Sequence, residues 1–183
     1  MVLGARGPVK MGLGSGNARR YNGGMECTVR QPIVAGSFYP DDPARLGALV
    51  RGFLGESLPS PPAASARVGV IVPHAGYVYS GRVAGKGLRA ASESGRPERI
   101  VLLGASHSGA GGALALPTES AWRTPLGDVR LDAPTVERLA ALGVSRSRDA
   151  FRREHSMEVV LPFLQVLFAD CPPVVPICVE LAP

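Results

Sequence analysis

His74, His107 and His155 are the only three histidines in this chain of 183 residues. Two of them occupy equivalent places. His74 directly follows the apolar run VGVIVP (68–73), and His107 follows IVLLGAS (100–106). Short, continuous apolar runs of this kind read as strands buried on both faces. Each imidazole therefore stands just past the carboxyl end of a predicted strand, which is where open α/β sheets bind their ligands. Two imidazoles from neighbouring strand ends, with carboxylates nearby, make a donor set for a divalent metal. Imidazole accepts iron, copper or zinc, and a face of two histidines and one carboxylate suits non-haem Fe(II). His74 and His107 are accordingly the candidate metal ligands.

His155 lies in EHSME, beside Glu154 and near Glu158. On a helix the two glutamates, four residues apart, would share a face. Glu154 and His155 are the candidate catalytic groups, suited to orienting an imidazole or transferring a proton. The blander alternative makes each histidine a satisfied turn or capping residue; the equivalence of the two strand-end positions weighs against it. A hydrolase reading starts instead from GASHS (104–108), with Ser106 as nucleophile and His155 as base. It fits poorly, because Ser108 replaces the final glycine of a nucleophile elbow and no helix pattern follows.

The elements that must hold these groups can be read from pattern. Asp41 or Asp42 caps a helix with Pro43 in its first turn and Leu46, Leu49, Val50 and Phe53 on one face. A Pro-rich connector spans 58–66. A strand over 68–73, a helix over 81–92 weakened by Gly85 and Gly87, and a strand over 100–104 form one βαβ unit. Its right-handed crossover would make the two strands parallel and send both imidazoles out of one sheet edge. Weaker strands follow at 113–116 and 129–131, then a capped helix over 132–142. An amphipathic helix over 156–168 has Pro162 kinking it or lying in its first turns, and a last strand covers 174–179. Alternating strands and helices imply an α/β fold, with a mostly parallel or mixed sheet carrying helices on both faces. Gly76, Gly81, Gly104 and Gly109 flank the first two histidines and permit sharp turns or close backbone approach.

Composition narrows the function classes. The chain is 45% hydrophobic and 19% charged, which fits a globular domain and not a disordered chain. No apolar stretch is long enough for a transmembrane helix, and the N-terminus has no secretory h-region. Three cysteines, Cys27, Cys171 and Cys178, with no CxxC pair, read as free thiols in a reducing, cytoplasmic setting. The net charge of +5 is mainly that of residues 1–30, where Arg6, Lys10, Arg19, Arg20 and Arg30 face only Glu26. The other 153 residues hold 15 basic and 14 acidic groups, so no nucleic-acid surface is expected on the folded body. Residues 1–30 are expected to be a disordered basic Gly/Arg-rich tail, and 31–183 the folded domain. GLGSGN (12–17) lacks the flanking strand and helix of a phosphate loop.

Five motifs occur in order: AGSFYP (35–40), PHAGYVYSG (73–81), LGASH (103–107), TPLGD (124–128) and EHSMEVVLPFLQ (154–165). Together they resemble the Memo family, whose microbial members are also called AmmeMemoRadiSam system protein B. The resemblance implies a fold like that of the class III extradiol dioxygenases, with a cleft that binds iron(II) or copper through His74 and His107. It places His155 in the same cleft and sets Tyr77 and Tyr79 at its border. It also implies a dioxygenase-like redox role in a radical-SAM-associated pathway; the alternatives are a non-catalytic module for a peptide or small ligand, or an inactive fragment. In the family a further portion, with an SSDxSH-like motif and a late cysteine, follows the strand ending in VPI. Here the sequence ends at VPICVELAP, so the resemblance implies a domain that is C-terminally incomplete and a cofactor site short of ligands. Sequence leaves substrate, metal identity, reaction class and oligomeric state open.

Overall fold

A computed structural model describes residues 19–20, 26–55 and 68–180. The proposed disorder of residues 1–18 and 21–25, and the connector at 58–66, lie outside the described residues. Arg19–Arg20 (β1) pairs antiparallel with Glu26–Cys27 (β2). The body of the fold begins with Val29–Arg30 (β3), which runs parallel to Ala121–Thr124 (β6). The latter forms a tight hairpin with Gly127–Arg130 (β7), whose turn is the TPLGD motif. Arg30, assigned by its charge to the tail, is instead a buried residue of the body.

The second sheet has the order Ile100–Ala105 (β4), Val174–Val179 (β9), Leu114–Leu116 (β5), Ser145–Arg146 (β8). The first pair is parallel, β9 and β5 are antiparallel, and β5 and β8 are parallel. The fold is thus α/β with mixed sheets, as the pattern implied. On one side lie Pro43–Leu54 (α1), Tyr77–Ser92 (α2) and Leu161–Leu167 (α5). They share the main apolar cluster, which holds Leu46, Val50, Trp122, Phe151, Phe163 and Leu164. On the other side Ala133–Ala141 (α3) packs Val136 onto Leu116 and Val175. Arg148–Arg152 (α4) is a short helix with no periodic signal of its own.

Local chemistry explains most of these boundaries. The carboxylate of Asp42 accepts from Arg45 N at 2.8 Å, and that of Asp132 from Thr135 N at 2.9 Å. Each satisfies a backbone donor left free at a helix start. Pro162 falls in the first turn of α5, where its missing N–H costs nothing. Gly85 does not weaken α2 for want of a purpose: a Cβ there would lie 2.9 Å from the Cβ and carbonyl oxygen of Phe53. The glycine lets α1 and α2 touch, with Phe53 also against Gly81.

The predicted strand at 68–73 does not form. The segment has no ladder, and no backbone hydrogen bond joins it to β4. A run buried on both faces needs cover on both. Val72 reaches the main cluster, but Ile71 is fully exposed. The same shortage is seen on β4. Ile100 and Leu102 point into the core, while Val101 and Leu103, on the alternate face, stay 52% and 70% exposed. Helix α3 covers β9 and β5 and leaves this strip of β4 bare.

Leu103→Lys is therefore expected to shift the urea unfolding free energy by no more than about 0.5 kcal/mol. It should lower the fluorescence of an apolar-surface dye bound to the native chain. A loss of several times that stability would mean that Leu103 is buried. Among the described residues, no helix is long and apolar enough to cross a membrane.

Candidate metal centre

Three separate elements deliver the site. His74 leads into α2, whose first N–H, at Tyr77, donates to Phe38 O at 2.8 Å and ties the helix start to the AGSFYP turn. That turn is closed by Gly36 N donating to Tyr39 O at 2.8 Å. His107 follows β4 with only Ser106 between them. Glu154 and His155 sit between α4 and the 3-10 turn Glu158–Val160. The approach of this turn to β4 depends on Gly104, since a Cβ there would strike Ser156 Oγ and Met157. Ser156 Oγ in turn donates to Ala105 O at 3.4 Å.

These elements bring all three imidazoles together. Ring centroids are 5.2 Å apart for His74 and His107, 4.7 Å for His107 and His155, and 6.0 Å for His74 and His155. The Nε2 atoms of His74 and His107 face each other at 3.4 Å. The strand expected to carry His74 is absent, yet the pairing of the two histidines holds, because the start of α2 does the placing.

Glu154 is buried and crowded by donors. It accepts from His155 N at 2.8 Å, Ser156 N at 2.7 Å and His107 N at 2.8 Å. Both of its oxygens also lie 3.0 Å from His107 Nδ1. Burial alone would raise its pKa; the hydrogen bonds from Ser156 and His107 outweigh it and bring it down to about 2. An ionised carboxylate only accepts, so His107 Nδ1 must carry the proton in that contact. The neutral ring then presents a lone pair at Nε2, toward His74. Burial, with the neighbouring His107, pushes the pKa of His155 down, which favours its neutral form.

The expected partnership of Glu154 and Glu158 on one helix face is not observed. Residues 154–157 are loop and turn rather than helix, and the two carboxylates diverge. Glu158 faces away from the histidines, accepting from Arg30 Nη1, Ile33 N, Val34 N and the hydroxyl of Tyr39. Sequence reasoning missed Arg30 and Tyr39 as its partners, which no local pattern signals.

Tyr77 is buried, with its hydroxyl donating to Val159 O at 2.8 Å, so it braces the site from behind. Its pKa is driven upward by burial, with Tyr39 and Glu158 adding to it. Tyr79 does border the cleft, which has a volume of about 450 Å³ and is also lined by Ser37, Phe38, His74, Gly76 and His155. Phe38 meets the His155 ring edge-on at 4.7 Å.

Ser106 Oγ accepts from Gly109 N, and no hydrogen bond to His155 is seen among the described residues, which leaves the hydrolase arrangement unformed. Burial keeps both remaining thiols protonated: it raises the pKa of Cys178 in β9, and that of Cys171 to about 11. Neither belongs to the histidine cluster.

His107, Glu154 and His155 have ligand atoms within 4.8 Å of one another, close enough to hold an ion. Glu154 is already saturated by four donors, so it fits better as the group that orients His107 than as a ligand. The imidazole pair does fit an ion. Two nitrogens each about 2.05 Å from a tetrahedral metal stand about 3.3 Å apart. The observed 3.4 Å is also long for a direct N–H···N hydrogen bond.

Comparison with known proteins agrees with the motif reading. The family model described as Memo-like protein matches residues 30–183. A MEMO1 family protein from Methanopyrus kandleri is 40% identical over 163 residues, covering 83% of this chain and 56% of that protein. One from Ignicoccus hospitalis is 40% identical over 161 residues, with the same coverage of both chains. One from Archaeoglobus fulgidus is 41% identical over 150 residues, covering 82% of this chain and 54% of its own. The chain thus spans about half the length of the curated relatives it matches. The matched region begins at Arg30 and takes in all three histidines, Glu154 and Glu158, and on this ground the chain belongs to the Memo-like family.

Proposed function

We propose that the cleft binds a redox-active metal, iron(II) or copper, through His74 and His107, and serves oxidative chemistry on a small molecule held beside it. The observation that carries this reading is the 3.4 Å separation of two Nε2 atoms, one of them held with its lone pair outward by Glu154. Ligating imidazoles characteristically donate their second ring N–H to a carboxylate in this way, which fixes the tautomer and strengthens the donor. Imidazole nitrogen suits both metals.

Once bound, such a metal supplies Lewis acidity and one-electron chemistry to a ligand in the cleft. The chain's own groups do the rest. Glu154 fixes the His107 ring. His155, which lines the cleft with His74, is placed to take a proton from a bound ligand and return it. Phe38 gives one wall an apolar surface, and Tyr79 stands at the rim. A dioxygenase-like role is the fullest form of this reading. The same cleft acting only as a binding module for a small ligand is the lesser form, favoured by its openness at Tyr79, which is 87% exposed.

Anaerobic calorimetric titration with Fe(II) and with Cu(I) tests the metal. The wild-type chain should bind one ion per chain, and the His74→Ala/His107→Ala double variant should show no heat of binding at that site. Equal affinity in the two proteins would remove the metal role. Oxygen consumption by the loaded chain with added phenolic compounds then separates the two forms of the reading.

A further inference from the structure

We infer that Arg30 is the positioning residue of the histidine cluster, acting through the turn that carries Glu154 and His155. The inference rests on the reading of the cluster as a metal site but concerns a residue that touches none of the three imidazoles. Arg30 is 7% exposed and comes from β3, more than a hundred residues before the turn it holds.

All three nitrogens of its guanidinium donate. Nε and Nη2 donate to Phe151 O at 3.1 and 3.0 Å, Nη2 also to Glu154 O at 2.6 Å, and Nη1 to the Glu158 carboxylate at 2.7 Å. The Trp122 ring lies under it, 4.5 Å from Cζ to centroid. A planar fork with donors in fixed directions is suited to holding several acceptors at once; an ammonium is not. The three acceptors bracket residues 151–158. Phe151 O is at the end of α4, where the last carbonyls lack helical partners. Glu158 opens the 3-10 turn.

Between them, the Glu154 carbonyl is drawn toward Arg30 while its carboxylate points the opposite way, to His107. The chain of contact is therefore Arg30 to the Glu154 backbone, the Glu154 carboxylate to His107 Nδ1, and His107 Nε2 to His74. Loosening the first link lets the carboxylate leave Nδ1, and the His107 tautomer is no longer held.

The test is histidine-selective ¹⁵N NMR of the metal-free chain, paired with zinc titration as a redox-inert probe. In the wild type, His107 should show the pattern of a protonated Nδ1 and a bare Nε2. Arg30→Lys keeps the charge opposite Glu158 but loses the fork. It should shift His107 toward a mixture of tautomers and weaken zinc binding about tenfold, at the lower end of what losing an orienting group costs. Val136→Ala, in the separate cluster under α3, serves as a control for general destabilisation and should leave both readouts unchanged.

Unchanged His107 signals in Arg30→Lys would overturn the inference, as would an equal shift in the Val136→Ala control. Should Arg30→Lys not fold, Trp122→Phe, which shrinks the ring under the guanidinium, should move the His107 signals in the same direction; no movement would count against the proposal. A wild type that binds no zinc, with the tautomer shift still seen in Arg30→Lys, would sink the metal reading and leave the positioning role standing.

Discussion

Glu158→Ala should cost roughly 3–5 kcal/mol of folding free energy, the range for breaking a buried ion pair by removing one partner. Glu158 is fully buried and serves four donors. Its carboxylate accepts from Arg30 Nη1 at 2.7 Å, Ile33 N at 3.0 Å, Val34 N at 3.1 Å and Tyr39 hydroxyl at 2.8 Å. Alanine would leave a guanidinium buried with no counter-charge, two backbone N–H groups without an acceptor, and a tyrosine hydroxyl without a partner. Each unsatisfied neutral group adds about 1–3 kcal/mol before relaxation or water entry. Set against an ordinary total of about 5–15 kcal/mol, that is a large fraction of the stability, and the denaturation midpoint should fall accordingly.

Glu158→Gln should be milder, since an amide oxygen still accepts from the backbone pair while the ionic contact to Arg30 is lost. Chemical denaturation followed by circular dichroism measures both. A loss below about 1 kcal/mol for the alanine variant would show that water replaces the carboxylate without penalty.

This hub also shows where sequence reading succeeds and where it stops. Local signals were legible: Asp42 and Asp132 as caps, Pro162 in a first turn, and the strands at 100–104 and 174–179 all correspond to observed elements. They depend on neighbours within a few residues, and pattern carries that information. The pairing of His74 with His107 was legible too, but for an incomplete reason. Strand ends were expected to place both, whereas His74 is set by the start of α2 and the Phe38 carbonyl.

What escaped were long-range partnerships. Nothing near Arg30 distinguishes it from the four basic residues before it; only its contacts with residues 151–158 make it part of the core. A helical period assigned Glu154 and Glu158 to one face, but the intervening turn sends one carboxylate to His107 and the other to Arg30. Gly85 lowered the helical signal of α2, and the contact with Phe53 that requires it comes from another helix. The run at 68–73 failed as a strand because burial on two faces is a property of the layers around it, and the outer face of β4 has no cover among the described residues.

The largest effect at the site is expected from Glu154→Gln, which should weaken the proposed metal binding by about 10–100-fold, the usual cost of losing an orienting group. The exchange is nearly isosteric, so its effect is on protons. In the wild type both oxygens accept: Oε1 from His155 N and Ser156 N, Oε2 from His107 N, with His107 Nδ1 at 3.0 Å from each. Glutamine can keep only one acceptor. Placing its oxygen toward His155 N and Ser156 N keeps two backbone hydrogen bonds and turns the NH₂ group toward His107. There it opposes the backbone N–H and donates to Nδ1. His107 then moves its proton to Nε2, the atom that faces His74 at 3.4 Å. A protonated Nε2 has no lone pair for a metal, so binding must first reverse the tautomer.

Because the carboxylate pKa lies near 2, the wild-type group is ionised at any pH where the comparison is made. The difference between the two proteins is then one of tautomer and charge together. Glu154→Asp separates these: it restores the charge but withdraws the carboxylate by one methylene, and it should recover part of the affinity. Calorimetric titration of Fe(II) or Zn(II) into the three proteins reads the series directly. A dissociation constant for Glu154→Gln within twofold of the wild type would mean that His107 does not depend on Glu154 for its ligating form.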